Sequence, residues 1–522
     1  EIRLSLVGSE MCIRDRVGTI TDLSGHFSLN VSANATLIVS YIGFNTQEVA
    51  VGTAATLTIR LTDDVKLLDE VVVVGYGTVR KKDLTGSIGT VSGDVLAERK
   101  AISLSTAMQG AIPGLMVMRS NGSPGGEATI KVRGITTIGD SSPLIIVDGS
   151  PVDNIDYVNP NDVDNITVLK DAASASIYGS RAAAGVILIT TKRAKEDKFT
   201  VGYTFEYGFE KMAAYPKYVS PTRFMEIENE LRWNDGGNGD NKYPIHAKEL
   251  IENYYTLHGE DPDKYPITDW YDLVLDNSAP RQSHLLNLAG GTGKLKSKVT
   301  IGYDKVDGLY AHKSAKRYTV RMNNDLNINK YISAIANISF RHNINDDAIA
   351  NPFSGGINNT PAIFAGLWSD GRYGAGREGA NIHAIVREGG YSKNTHSHLT
   401  GNVGINIIPI PGLTLSASFS PTFNFYKGKT FKKSIKYYDA KDPTIMLGYM
   451  SGYNSIKLSE SRNDSYKLLA QFIATYIKTF GSHNINITGG YEGLKSFNES
   501  LGASRDNYIL DSFPYLNLGP LE

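Results

Sequence analysis

Among the 522 residues, the side chains with the best claim to chemistry are few and poorly assembled. Asp148 follows the apolar run Leu144-Ile145-Ile146-Val147 and precedes Gly149, a position where α/β enzymes often hold a catalytic carboxylate. Acid–base catalysis needs a histidine or second carboxylate brought within hydrogen-bonding reach. No such residue sits in a comparable context, so an aspartate capping a tight turn is the better reading. The ten histidines form no HExxH spacing, and His396 and His398, two apart at a loop edge, are expected to face solvent. Residues 122–134 (GSPGGEATIKVRG) are glycine-rich but lack the Lys-Ser/Thr pair that a phosphate loop requires, which leaves a turn. Cys12 is the only cysteine, so a disulfide framework and a multi-cysteine metal site are excluded. No catalytic residue, metal or cofactor is expected, and the chain is not read as an enzyme.

Charge and hydropathy narrow the class further. Lys and Arg total 53 against 54 Asp and Glu, which gives no electrostatic reason to expect a nucleic-acid partner. No apolar run approaches the roughly 18–20 residues of a membrane-spanning helix. A membrane β-barrel stays open, because its strands need only alternate, and Gly 52 with Tyr 29 suits one.

The elements that must position any site fall into five segments. Residues 1–16 (EIRLSLVGSEMCIRDR) show no signal-peptide pattern; they resemble translated sequencing-adapter read-through and are set aside as non-native. Residues 17–62 are short alternating runs broken by turns, as in a small antiparallel β-sandwich. Residues 63–82 form a linker carrying LDEVVVVGYGTVRKK, whose four consecutive valines favour an extended backbone; an ordinary core strand is the alternative. Residues 83–194 mix strands with short helices: helices near 104–110 and 171–178, and strands near 114–119, 128–132, 144–147 and 185–191.

From residue 195 onward the pattern becomes long two-sided strands. Val201, Tyr203, Phe205, Tyr207 and Phe209 alternate with small or polar neighbours, one face suited to lipid and the other to water. Strands near 199–210, 282–290, 295–306, 317–327, 331–343, 397–408, 412–426, 464–479 and 484–497 leave connections that alternate between long and very short. Soluble sandwiches have no reason to keep that parity, whereas outer-membrane barrels place short turns in the periplasm and long loops outside.

The words GTITDLSGHFSLNV, MQGAIPGLMV, IKVRGI, PLIIVDGSPVDN and VLKDAASASIYGSRAAAGVILITTKR together resemble the SusC/RagA branch of TonB-dependent receptors. The one noted departure is Ala184, where that branch usually has Asn. The resemblance implies a mainly β chain: a truncated carboxypeptidase-regulatory-like β-sandwich (17–62), a linker with the Ton box (63–82), an α+β plug (83–194), and about nine strands of a roughly 22-stranded antiparallel outer-membrane β-barrel (195–522). The chain is then expected to be the N-terminal part of a longer receptor, continuing past Glu522 with roughly a dozen more strands. Asp69, Glu70, Val71, Val72, Val73, Val74 and Gly75 are the implied Ton box, an extended unpaired segment in the periplasm that adds as a strand to TonB.

A plug inside a barrel must also bury some charge against the wall. Arg133 and Arg181 are expected to pair there with Glu206 or Glu210 on the first barrel strand; the alternative is that both are solvated surface cations. The resemblance implies a TonB-energised importer in the outer membrane of a Bacteroidota cell, with its N-terminal domain in the periplasm and a SusD-like surface lipoprotein as partner. A glycan or peptide is the implied cargo, and the substrate-binding residues stay unassigned. The second reading is a receptor for signalling or adhesion without transport.

Overall fold

The computed structural model describes residues 2–5, 19, 21–22, 26–32, 35–40, 44, 46–52, 56–61, 71–74, 77–80 and 87–520, except 120–121, 127, 136, 196–197, 355 and 482. At the start lie β1 (Ile2–Ser5), β2 (Thr36–Ser40) and β3 (Gln47–Ala50), with β2 central, parallel to β1 and antiparallel to β3. Ile2–Ser5, within the segment set aside in the sequence, pairs with residues 37–40, Ile2 opposite Leu37 and Ser5 opposite Ser40. Phe27, Leu29 and Val31 are half-buried between exposed neighbours, the period-2 pattern seen in the sequence.

β4 (Val71–Val74) and β5 (Gly77–Arg80) form a two-stranded antiparallel hairpin, Val71 opposite Arg80 and Val74 opposite Gly77. The valine run is extended as expected, but it is paired rather than unpaired, because the β-propensity that extends it also suits Thr78 and Val79 on the partner. Asp69, Glu70 and Gly75 lie outside the described residues.

The next unit carries β6 (Ile88–Ser92), β7 (Leu115–Arg119), β8 (Ala128–Val132), β9 (Leu144–Val147), β10 (Ser150–Val152), β11 (Val163–Leu169) and β12 (Val186–Thr191). Five of these make one sheet in the order β10-β9-β12-β11-β6, while β7 and β8 pair as a separate hairpin. β11 and β12 are buried along most of their length, the signature of strands covered on both faces. Leu96, Leu104 and Met108, from or next to short helices, close this core over Val163, Ile166 and Ile187. The helix expected at 171–178 ends at Ala175 and continues as tighter turns through Ala182, broken at Gly179 where φ is +65°.

The remainder is one antiparallel sheet. Its strands are β13 (Thr200–Glu210), β14 (Ala279–Gly291), β15 (Leu295–Asp307), β16 (Ser314–Asn329), β17 (Ile332–Ala348), β18 (Gly390–Ile410) and β19 (Leu413–Lys432). After the small hairpin β20 (Lys436–Tyr438) and β21 (Met446–Tyr449), it ends with β22 (Lys457–Phe480) and β23 (His483–Asp506). The order β13-β14-β15-β16-β17-β18-β19-β22-β23 follows the chain, and connections alternate between long (211–278, 308–313, 349–389, 433–456) and short (292–294, 330–331, 411–412, 481–482). From β16 on, the strands run well beyond the apolar alternation on the long-loop side; β18 begins at Gly390 rather than near 397. Beyond the apolar band both faces carry polar residues, so the alternation fades while the hydrogen-bond ladder continues.

The long loops fold on themselves. In the first, helices Pro221–Asp235 and Lys248–Glu260 pack together through Met225, Ile251 and Tyr254, and Asp269 caps the helix Trp270–Val274 by accepting from the amides of Tyr271 and Asp272. Trp270 and Ile357 are fully buried in a cluster that joins this loop to the helix Ile382–Glu388 of residues 349–389.

Candidate functional site

The compact plug unit meets the long sheet through polar side chains, not through its core. On β15 to β18 every second residue points inward and is buried: Lys298 and Thr300, then Arg317, Thr319, Arg321 and Asn323, then Asn337, Ser339 and Arg341, then His398 and Asn402. The residues between them, such as Ile301, Val320, Ile338, Phe340 and Val403, are exposed on the outer face. That is the polar-inside, apolar-outside arrangement of a membrane barrel wall.

The plug answers with turns that present carboxylates. Asp148 and Gly149, at φ +48° and +87°, make the two-residue turn between β9 and β10, a conformation that Asp-Gly is suited to adopt. In it the Asp148 carboxylate accepts from the Thr191 amide at 2.9 Å and the Thr191 hydroxyl at 2.7 Å, with the Arg321 guanidinium at 3.5 Å. Its carbonyl accepts from Asn402 at 2.8 Å. Asn154 and Asn159 cap two single-turn helices, Ile155–Tyr157 and Pro160–Asp162, which aim Asp156 and Asp162 at their partners. Asp162 accepts from Lys298 Nζ at 3.1 Å and Thr300 Oγ1 at 2.7 Å, and its side chain is 1% exposed. Asp156 accepts from the amide and hydroxyl of Ser105, both at 2.7 Å, while its carbonyl accepts from Arg341. Ser150 donates to Ser420 at 2.9 Å, and Lys467 pairs with Asp153.

The structure redistributes the expected ion pairs. Arg181 meets Glu492 on β23, not Glu206 or Glu210; Glu206 takes Lys100 of the plug at 3.2 Å, and Glu210 takes Arg281 of the neighbouring strand at 3.8 Å. Arg133 is exposed, at φ +57°, and its charge helps hold the Asp171 carboxyl below its ordinary range, after the amide and hydroxyl of Ser174 and the Ser87 amide. The reason is geometric, since the segment bearing Arg181 faces β22 and β23 and the first strand lies elsewhere. Most buried cations belong to the wall and most buried carboxylates to the plug, because the residues that build the plug's turns are aspartates. His396 and His398 are corrected as well: His398 is 3% exposed, its ring stacked 3.7 Å from the ring of plug Tyr157, over which Arg341 lies at 5.6 Å.

The turn read at residues 122–126 is present between β7 and β8, with the Gly126 amide donating to Ser123 at 3.0 Å. It is the plug's tip. At Gly125, φ +70°, a Cβ would lie 2.8 Å from Asn345 Oδ1 and 3.1 Å from Ala315 Cβ, so the tip is seated where only glycine fits. Beside it opens a cavity of about 510 Å³, bounded by Arg119 and residues 122–124 of the plug, 210–214 of the first long loop, 307–310 and Lys313 of the next, and Asn351 with Phe353.

Residues 80–186 match the family described as TonB-dependent Receptor Plug Domain, and residues 11–73 match the CarboxypepD_reg-like domain. The TonB-dependent receptor SusC of Bacteroides thetaiotaomicron is 33% identical over 330 residues, covering 61% of this chain and 30% of SusC. The chain is similar to TonB-dependent receptors of the SusC/RagA type. TonB-dependent receptor P3 of Formosa agariphila is 28% identical over 520 residues, covering 96% of this chain and 47% of P3. The chain thus spans about half the length, or less, of these curated relatives. The solved RagAB peptide importer in its open-open state shares the fold, with TM-score 0.70, 23% identity, and 87% of this chain against 52% of that one.

The seam between plug and wall was half legible in the sequence. Polar residues alternate with apolar ones through Lys298, Thr300, Arg317, Arg321, Asn337 and Arg341, which marks an inner face. Nothing local marks the partners, which lie more than a hundred residues away in the chain; Arg119, Lys211 and Tyr310 at the cavity carried no signal of their own.

Proposed function

We propose that this receptor imports a bulky nutrient, a glycan or a peptide, across the outer membrane, energised by TonB and assisted by a surface lipoprotein of the SusD kind. The observation that carries the reading is the character of the seam. The plug has its own closed apolar core, built from residues such as Leu96, Leu104, Ile166 and Ile187, and it is held to the wall by ion pairs and hydrogen bonds. Polar contacts of that kind can be exchanged for water when the plug moves, whereas an apolar interface would resist displacement by about 25 cal/mol for each Å² uncovered. Val71–Val74, just ahead of the plug, is the handle in this reading, an extended segment able to add to a sheet edge of TonB.

The test is uptake of labelled oligosaccharides and peptides by cells carrying the receptor, with and without TonB, alongside Val73→Pro. Proline removes a backbone donor and fixes φ, so it should abolish uptake while surface binding of cargo persists, and Val73→Ala should be milder. Uptake by the proline variant at the normal rate, or uptake indifferent to TonB, would overturn the reading.

A further inference from the structure

The cavity beside the plug tip has a composition that selects among cargoes. Its cations and carboxylates are mostly spoken for: Glu210 pairs with Arg281 at 3.8 Å, Asp307 with Lys305 at 2.9 Å, and Lys313 with Asp347. Arg119 and Lys211 are the exceptions, both exposed at the cavity and without an ion pair among the described residues. Much of the remaining lining is apolar, with Met212, Ala213, Ala214, Leu309 and Phe353, and its uncharged polar side chains besides Tyr310 are Ser123 and Asn351. Tyr310 offers no stacking face, being 6% exposed with its hydroxyl donated to Asp347 at 3.1 Å.

We infer that this cavity binds a peptide that carries a carboxylate, with Arg119 and Lys211 as the residues that read the charge. The inference rests on the import reading above and narrows its cargo. An oligosaccharide presents a hydroxyl on nearly every ring carbon, and each one desolvated against Met212 or Leu309 without a partner costs about 1–3 kcal/mol. A peptide places apolar side chains on that lining and one anionic group on the two cations, where a guanidinium can make paired charge-assisted hydrogen bonds. Arg119 ends β7 on the plug itself, so the charge of the cargo is read by the part that must move.

The experiment is equilibrium binding to the full chain purified in detergent, which needs neither TonB nor a membrane potential and so stands or falls apart from transport. The probes are N-acetylated Leu-Phe-Asp amide, its uncharged counterpart N-acetylated Leu-Phe-Asn amide, maltohexaose and an oligogalacturonate. The acidic peptide should bind about tenfold or more tightly than the uncharged one, the range of a charge-assisted contact. Arg119→Gln with Lys211→Gln should erase that preference and leave the uncharged peptide's affinity in place, while Arg119→Lys should keep most of it. Since both side chains are exposed, the uncharged peptide's unchanged affinity also reports that the variants fold. Equal binding of the two peptides, a preference surviving the double substitution, tighter binding of either oligosaccharide, or no binding of any probe would each overturn the inference.

Discussion

Asp148, Asp156 and Asp162 are turn residues first and ion-pair partners second, and the order matters for what a substitution does. The turn at Asp148 was legible in the sequence, because Asp-Gly after an apolar strand has a local mechanism, whereas the short helices capped by Asn154 and Asn159 were missed. The pairing was not legible, because Lys298 lies on a strand whose register is fixed only when the sheet forms. For Asp162 and Lys298, removing one partner strands the other in a site that is 1% and 10% exposed. Lys298→Met should therefore lower the stability of the plug's seating by about 3 kcal/mol, and pairing it with Asp162→Leu should recover part of that loss. Urea titration followed by hydrogen exchange in β11 and β12 measures both, and a double variant worse than either single one would refute the buried pair.

At the scale of elements, the loop cap carries a pH response. His383, in the helix Ile382–Glu388 against Trp270 and Tyr373, is pushed down to about 4 from its ordinary 6.5, chiefly by burial and secondly by the Arg387 charge. A base with a depressed folded pKa is neutral when folded, so its contribution is intact above about 6.5 and is lost as pH falls toward 4, where unfolding takes up a proton. The helix should loosen over that window by a few kcal/mol, and His383→Leu should flatten the response. Hydrogen exchange of residues 382–388 from pH 7 to 4 shows it, and a slope unchanged in the variant would assign the response elsewhere. A second element-level expectation concerns the plug tip: Gly125→Val forces a Cβ against Asn345 and Ala315 at a left-handed φ, which should unseat residues 122–126 and open the cavity. Proteolysis within the tip would report it; a variant as resistant as the parent would show that the tip adapts. Strand positions were largely legible from the two-residue period, and their outer ends were not, because ladder pairing continues where side chains no longer report a face.

At the scale of the whole molecule, the plug has a core of its own and a hydrophilic contact with the wall, and import in the form proposed requires that contact to break. Ser150 and Ser420 offer a direct way to ask whether it does. Ser150 opens β10 on the plug, Ser420 lies on β19 of the wall, their hydroxyls are 2.9 Å apart, and both are buried at 2% and 4% exposure. Oxygens that close leave the two Cβ atoms within a small adjustment of the separation a disulfide needs, about 3.5–4.5 Å. Because Cys12 is the only cysteine in the sequence, Ser150→Cys with Ser420→Cys in a Cys12→Ser background should form one unambiguous cross-link, detected as a mobility shift reversed by reductant. The oxidised receptor should bind cargo at its outer surface as the parent does, since the cavity at the tip involves neither residue. It should transport none, because the lock spans the seam that pulling on the linker must open, and reductant should restore uptake. Each single cysteine variant should transport normally, which separates the cross-link from the loss of the hydroxyl pair. If the oxidised form imports at the parental rate, the plug does not leave the wall at β19, and passage would have to open on the side of β15 and β16, where Lys298 and Arg321 hold Asp162 and Asp148.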